Sequence, residues 1–264
     1  MTNYFDVSGK TALITGGSRG LGRMMAEAYV RSGVKTYITA RHADVCEQTS
    51  KELSEFGECI AIQNDQSTLE GVHALADEIK SKEKHLDILI NNAGTGWHAE
   101  FEEFPEAGWD KTFNLNIKSV FFLTQQLTPL LAAEASVDKP SKVINIASTD
   151  ALWVPTDEAY PYPASKAGLL HLTRKLAHKL VKQHIHVNAI APGAFASEMN
   201  TMARDEPEMV GRFIPAGRIG EIADVGGTAI YMLSRAGDYL VGITLTLDGG
   251  VVWATSNRLD DSEA

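Results

Sequence analysis

The sequence predicts an α/β fold in which a parallel sheet is covered by helices on both faces. Short β-branched apolar runs alternate with longer stretches of helical periodicity along the chain. The length of 264 residues allows one large α/β domain or two small ones. No Pro/Gly/Ser-rich linker or change of composition divides the chain, so a single domain is expected.

Each element follows in order. A first strand over 11–15 runs into Thr15-Gly16-Gly17-Ser18-Arg19-Gly20-Leu21-Gly22, then a helix over 22–32. A second strand over 35–39 ends in Ala40-Arg41-His42. Further strands are expected over 58–62, 86–90, 142–146, 186–190 and 244–247, with helices over 69–82, 109–131, 164–183 and 222–234 between them. This alternation implies right-handed crossovers and a sheet buried on both faces. Leu169, Leu172, Leu176 and Leu180 recur at helical spacing, a stripe that faces a core. Residues 194–215 break the rhythm with Pro207, Gly211, Pro215 and the methionines Met199, Met202 and Met209. A long segment after a strand end reads as a substrate lid, with a surface loop containing a short helix as the alternative. The acidic, polar tail over 256–264 is expected to fray.

Lys and Arg number 24 against 34 Asp and Glu, a formal net charge of −10, and 44% of residues are apolar. That apolar share excludes general disorder. The acidic balance argues against nucleic acid or an anionic membrane as a main partner. The two cysteines, Cys46 and Cys59, cannot form a disulfide framework and have no metal-ligand spacing. The first residues lack a basic flank followed by an apolar core, and no apolar stretch approaches the ~18 residues of a membrane span. A cytoplasmic protein is expected. His184 and His186 share one face of a strand start but have no third ligand nearby, so no metal is expected.

The glycine-rich turn after the first strand suits close approach of backbone N–H groups to a phosphate, with a helix N-terminus behind it. Its spacing is not the usual G-x-G-x-x-G, but its place between strand and helix is the one a dinucleotide requires. This makes the fold a Rossmann-type doubly wound sheet. A binder of unphosphorylated NAD usually carries an acid at the end of the second strand. Here Arg41 stands there instead and, with Arg19 in the turn, would hold a 2′-phosphate. The expected cofactor is NADP(H).

Tyr162-Pro163-Ala164-Ser165-Lys166 places a phenol and an ammonium four residues apart at a helix start, on one face. A nearby cation stabilises phenolate, so the pair is a candidate acid/base. Ser148 ends the run Val143-Ile144-Asn145-Ile146-Ala147-Ser148, fourteen residues before Tyr162. Asn91-Asn92-Ala93-Gly94 and Asn188-Ala189-Ile190-Ala191-Pro192-Gly193 end two other strands, and Asn116 lies within a helical stretch. Strand ends of an open α/β sheet are where ligands bind.

These pieces, in this order, resemble the short-chain dehydrogenase/reductase family in its single-domain branch, over nearly the whole chain to Asp248-Gly249-Gly250. The resemblance implies that Tyr162 exchanges a proton with the substrate oxygen, that Ser148 hydrogen-bonds that oxygen, and that Lys166 lowers the tyrosine pKa and bonds the nicotinamide ribose. It implies that Asn116 holds a water linking Lys166 to a proton relay. Gly16, Ser18, Arg19, Gly20, Leu21 and Gly22 would line the pyrophosphate and ribose, and Asp65 and Gln66 the adenine. Asn92, Ala93 and Gly94 would lie beside the adenosine-side ribose, and Pro192, Gly193, Phe195 and Ser197 would face the nicotinamide. A homotetramer is implied by the family alone. Gly94-Thr95-Gly96-Trp97 and the string from Pro192 to Met199 are similar to the 3-oxoacyl-[acyl-carrier-protein] reductases, especially the rhamnolipid-pathway type.

Two departures stand out. The Ser148–Tyr162 gap is one residue longer than is common, so the loop carrying Trp153 shapes a different pocket. A basic surface for an acidic carrier protein is not evident. Trp97, Trp153, Phe195, Met199 and Met202 are candidate pocket residues, each equally suited to plain packing. The expected function is transfer of hydride between NADP(H) and a ketone or secondary alcohol, a 3-oxoacyl thioester among the candidates. A polyol, sugar or cyclic-alcohol dehydrogenase of the same family is the alternative. A non-catalytic dinucleotide sensor would not need Asn116, Ser148, Tyr162 and Lys166 together, and a nucleotide-sugar epimerase would need more chain.

Overall fold

In a computed structural model, which describes residues 3–255, seven strands form one parallel sheet in the order β3-β2-β1-β4-β5-β6-β7. The elements run β1 (Thr11–Ile14), α1 (Gly20–Arg31), β2 (Lys35–Ala40), α2 (Ala43–Leu53), β3 (Cys59–Gln63), α3 (Leu69–Lys82), β4 (Ile88–Asn91), α4 (Glu106–Phe113), α5 (Ser119–Ala132), β5 (Ser141–Ile146), α6 (Pro161–Leu180), β6 (Ile185–Pro192), α7 (Thr201–Asp205), α8 (Pro207–Gly211), α9 (Ile222–Leu233) and β7 (Thr244–Leu247). The order reverses direction between β1 and β4, which creates a crevice at their carboxyl ends. The tail over 256–264 lies outside the described residues.

Strand alternation builds two cores. Ala12 and Ile14 of β1, Ile88 and Ile90 of β4, and Ile144 and Ile146 of β5 face one layer, with Met25 and Tyr29 of α1 and Val225, Ala229 and Met232 of α9. Leu13, Leu89 and Val143 point the other way, into Val72, Leu75 and Ile79 of α3, Leu123 and Leu127 of α5, and Leu176 of α6. A period of two on each strand, with both faces covered, is why these runs are continuously apolar.

The predicted α3 and β7 match their observed bounds, and the Thr68 side chain caps α3 by accepting from Gly71 N at 3.1 Å. Two elements differ from the expectation. α2 was not predicted: its inward residues are Cys46, Thr49, Ser50 and Leu53, a helical spacing hidden by polar side chains that bond strand carbonyls and the glycine turn. The helix expected over 109–131 is two helices joined by a π-helical turn over Asn114–Lys118. Residues 194–215 contain two short helices, α7 and α8, with Ala203 and Ile214 buried. Among the described residues no helix is long and apolar enough to cross a membrane.

Candidate active site

The turn that leaves β1 follows a backbone path that only glycine takes without strain. Gly16 and Gly20 have φ of 64° and 53°, where a Cβ is strained. A Cβ on Gly22 would stand 2.2 Å from Gly16 O. Neighbouring strands hold the turn: Gly17 N donates to Thr39 O at 3.0 Å, and the Asn92 side-chain amide donates to Thr15 O at 2.9 Å and Gly16 O at 3.0 Å. Thr15 Oγ1 accepts from both Asn92 N and Ala93 N at 2.9 Å. Asn92 therefore spends its side chain on the turn's architecture. The turn ends on the N-terminus of α1, which has no side-chain cap and no acid in its first turn, so its N–H groups and dipole face outward. A small anionic group fits this cradle.

Around the cradle, Arg19 and Arg41 are exposed, and neither has an acid within ion-pair distance among the described residues. Gln66 is buried and donates to Thr39 Oγ1 at 2.7 Å, whereas Asp65 is exposed and accepts from Ser67 N. Beside Gln66 a cavity of about 320 Å³ opens between the start of α3 and Asn114 and Lys118. Ser197 lies over the turn, 3.2 Å from where a Gly20 Cβ would be. Gly193 sits against Asp248, which would lie 2.8 Å from an added Cβ.

The four candidate catalytic residues converge at the ends of β4 and β5. Ser148 follows β5, buried, and its Oγ accepts from Asp150 N at 3.1 Å, capping a short turn over Thr149–Ala151. Tyr162 lies in the first turn of α6, where Pro161 suits the missing N–H, and its phenol faces the Ser148 hydroxyl. Lys166, one turn on and 4% exposed, donates to Ile146 O at 2.7 Å. Its Nζ stands 5.6 Å from the Tyr162 ring centroid. Gly94 closes the group from β4: its added Cβ would meet Asn116 Oδ1 at 3.3 Å and Lys166 Nζ at 3.4 Å.

Asn116 reaches this point because the π-helical turn rotates it inward, a distortion that frequently marks functional sites. Its side chain is held at both ends: Oδ1 accepts from Thr95 N, and Nδ2 donates to Thr95 O and Ser165 Oγ, each at 2.9 Å.

Electrostatics here differ from the simple reading of a phenol acidified by its lysine. Burial pushes the Tyr162 phenol up to about 12, with the Asp150 charge adding to the rise and the Ser148 hydroxyl opposing it. Lys166 is pushed down to about 8 by burial, partly offset by Asp150. The ammonium turns toward the Ile146 carbonyl and has no acid within ion-pair distance among the described residues, so desolvation rules both groups.

The candidate pocket residues divide. Trp153, Met199 and Met202 are exposed, at 47%, 57% and 59%. Trp97 instead lays its ring on Gly108 of α4, beneath Lys111 Nζ at 5.2 Å. Phe195 is 3% exposed: its ring joins the core, covers Gly220 so that no Cβ fits there, and borders a cavity shared with Ile214, Arg218 and Leu247. It anchors the segment that follows. Among the described residues no group of His, Cys, Asp or Glu is arranged to hold a metal ion. Sequence reading missed Thr15 and Thr39, whose signal was a hydroxyl at each strand end beside the glycine turn, and Asp150, whose signal was an acid two residues past Ser148.

A crevice at the switch point of a doubly wound sheet, a glycine cradle on a helix N-terminus, and a phenol–hydroxyl–ammonium group beside it define a dinucleotide-dependent oxidoreductase. A family model described as short chain dehydrogenase matches residues 10–208. The rhamnolipids biosynthesis 3-oxoacyl-[acyl-carrier-protein] reductase of Pseudomonas aeruginosa is 42% identical over 253 residues, covering 95% of this chain and 99% of that protein. The 2-dehydro-3-deoxy-D-gluconate 5-dehydrogenase of Escherichia coli is 35% identical over 254 residues, covering 93% and 96%. Among solved structures, the Pseudomonas aeruginosa RhlG/NADP active-site complex superposes with a TM-score of 0.91 at 42% identity, covering 95% of this chain and 99% of that one. The chain belongs to the short-chain dehydrogenase family.

Proposed function

We propose that this protein is an NADP(H)-dependent carbonyl reductase acting between a ketone and its secondary alcohol. The observation that carries the reading is the convergence of Ser148, Tyr162, Lys166 and the Asn116 turn at the strand ends beside the glycine cradle. Gly16 to Gly22 would hold the pyrophosphate, and Arg19 and Arg41, lacking acidic partners, would hold a 2′-phosphate. Gln66 and Asp65 would border the adenine, and Pro192, Gly193 and Ser197 the nicotinamide end. NADPH supplies a hydride and, once oxidised, a positively charged ring. Ser148 donates a hydrogen bond to the substrate oxygen and fixes it beside the phenol. Tyr162 gives that oxygen its proton as the carbonyl carbon is reduced, and the Lys166 ammonium steadies the resulting phenolate. Water on the main chain of the Asn116 turn returns the proton. Residues 194–215 act as the lid, hinged beyond the fixed Phe195.

A 3-oxoacyl thioester is one candidate substrate, by likeness to the Pseudomonas reductase; a polyol or sugar is the second reading, by likeness to the Escherichia dehydrogenase. The same reading makes the protein cytoplasmic and a homotetramer, which light scattering would show as about four times the 28.7 kDa chain. The activity test is Tyr162→Phe on any ketone that the protein reduces with NADPH. Turnover should fall by about 10²–10⁴-fold with NADPH affinity unchanged; a variant that keeps full turnover overturns the reading.

A further inference from the structure

The catalytic crevice holds a carboxylate that proton transfer does not require. Asp150 lies two residues after Ser148, in the turn that Ser148 caps, and its backbone N–H is bound to Ser148 Oγ at 3.1 Å. Its side chain is half-buried, acts electrostatically on both the Tyr162 phenol and the Lys166 ammonium, and has the Trp153 and Ser148 side chains turned toward it. Among the described residues no cationic side chain lies within ion-pair distance of it. Trp153 and Ser148 hydrogen-bond the carboxylate, but no counter-charge balances it, and a charge held partly out of water without one is costly, so a further donor would stabilise it.

The rim repeats the same sign. The segments over 97–111 and 150–160 run side by side: Ala99 N donates to Glu158 O at 3.1 Å, His98 Nε2 meets Asp157 Oδ2 at 3.0 Å, and Phe101 and Phe104 pack edge-on to Tyr160. Together they carry eight acids and one lysine, Lys111. His98 is tied to Asp157, and Lys111 sits over the Trp97 ring, so both basic side chains of the rim already have partners. Asp157 is close enough to act on both Tyr162 and Asp150, and Glu100, Glu102 and Glu158 surround Tyr160.

We propose that Asp150 is a specificity-determining residue: the site takes a ketone bearing a hydrogen-bond donor beside its carbonyl, a hydroxyl or a protonated amine, and excludes carboxylates and carrier- or CoA-linked thioesters. This rests on the carbonyl-reduction reading and narrows it, away from the anionic substrates that the names of the Pseudomonas and gluconate enzymes suggest. Like charges brought together in a partly desolvated site repel strongly, whereas a donor placed against Asp150 offsets its desolvation.

The test is a matched series, each reduced with saturating NADPH: 2-butanone, 1-hydroxy-2-butanone, 1-amino-2-butanone and 2-oxobutanoate, with 3-oxobutanoyl-CoA against its neutral N-acetylcysteamine thioester. The hydroxy- and aminoketone should exceed 2-butanone in kcat/KM by about tenfold or more, and 2-oxobutanoate and the CoA thioester should fall at least about tenfold below their uncharged counterparts. The gain should lie mainly in KM. Raising salt should shrink the ratio of aminoketone to 2-oxobutanoate in the wild-type protein, because screening weakens the rim's field. Asp150→Asn should compress that ratio by about tenfold while NADPH affinity, read by fluorescence, stays unchanged. Equal turnover of charged and neutral members, a salt-independent ratio, or an unchanged ratio in Asp150→Asn would overturn this proposal and leave carbonyl reduction standing. Failure to reduce any member would bring down both.

Discussion

Lys166 is a cation taken out of water and given a carbonyl rather than a carboxylate as its partner. That arrangement keeps the ammonium mobile in charge: pushed down to about 8, it is protonated at neutral pH and loses its proton just above. Tyr162, pushed up to about 12, keeps its proton throughout that range, which suits a proton donor in reduction. In the ketone-reducing direction the charge that steadies the phenolate is present below Lys166's pKa and lost above it. Reduction, measured as kcat/KM at saturating NADPH, should therefore be flat at neutral pH and fall as pH rises through about 8. A profile flat to pH 10 would show that the ammonium does not serve the phenol. The residues Ser148, Tyr162 and Lys166 were legible because fixed spacing and strand-end position carry their geometry. The opposition of Asp150 was not legible, since a single acid in a loop looks solvated until its burial is seen.

At the scale of elements, the sequence showed where strands and helices stand but not where their regularity breaks. The apolar run through 109–131 reads as one helix, yet the π-helical turn over Asn114–Lys118 is what aims Asn116 at Thr95 and Ser165. One extra residue in a helical turn leaves no trace in hydrophobic period. α2 escaped for a related reason, since Thr49 and Ser50 face inward by bonding Ser18 O and Cys59 O, at 3.0 and 2.7 Å. The end of β2 was plain, because an arginine replaces the expected acid. Its consequence belongs to this scale: Arg41 stands where a strand end delivers it beside the glycine turn. Replacing Arg41 with Ala should weaken NADPH binding by about 10–100-fold, the worth of charge-assisted hydrogen bonds, and leave NADH affinity unchanged. Fluorescence titration of both cofactors reads this directly, and equal losses for both would assign Arg41 to the shared adenosine portion.

Across the whole molecule, the chemistry lies at the carboxyl edge of the sheet and a buried ion pair lies at the opposite edge. Lys142, the second residue of β5, stands in register with Ile88 and His186. It is 1% exposed and meets Asp238 Oδ1 at 2.8 Å; Arg235 bonds the other oxygen of Asp238 at 2.8 Å. Burial holds the Lys142 ammonium below its ordinary value, even with Asp238 beside it. Removing Asp238 as Ala would leave that charge buried and unpaired, which costs about 3–5 kcal/mol, or roughly 10 °C in Tm for a chain of this size. The sign with pH follows from linkage. Without Asp238 the folded protein releases the Lys142 proton earlier still, whereas the unfolded chain holds it to 10.5. Between those two values the unfolded state binds more protons, so stability rises with pH. The Asp238→Ala variant should therefore melt well below the wild type at pH 7 and recover part of the difference by pH 9–10, with the kinetic constants at pH 7 unchanged because the pair lies at the far edge of the sheet. Thermal melts across that pH range, with rates measured well below the transition, check both parts, and a pH-independent deficit would mean that lost packing, not an orphaned charge, carries the cost.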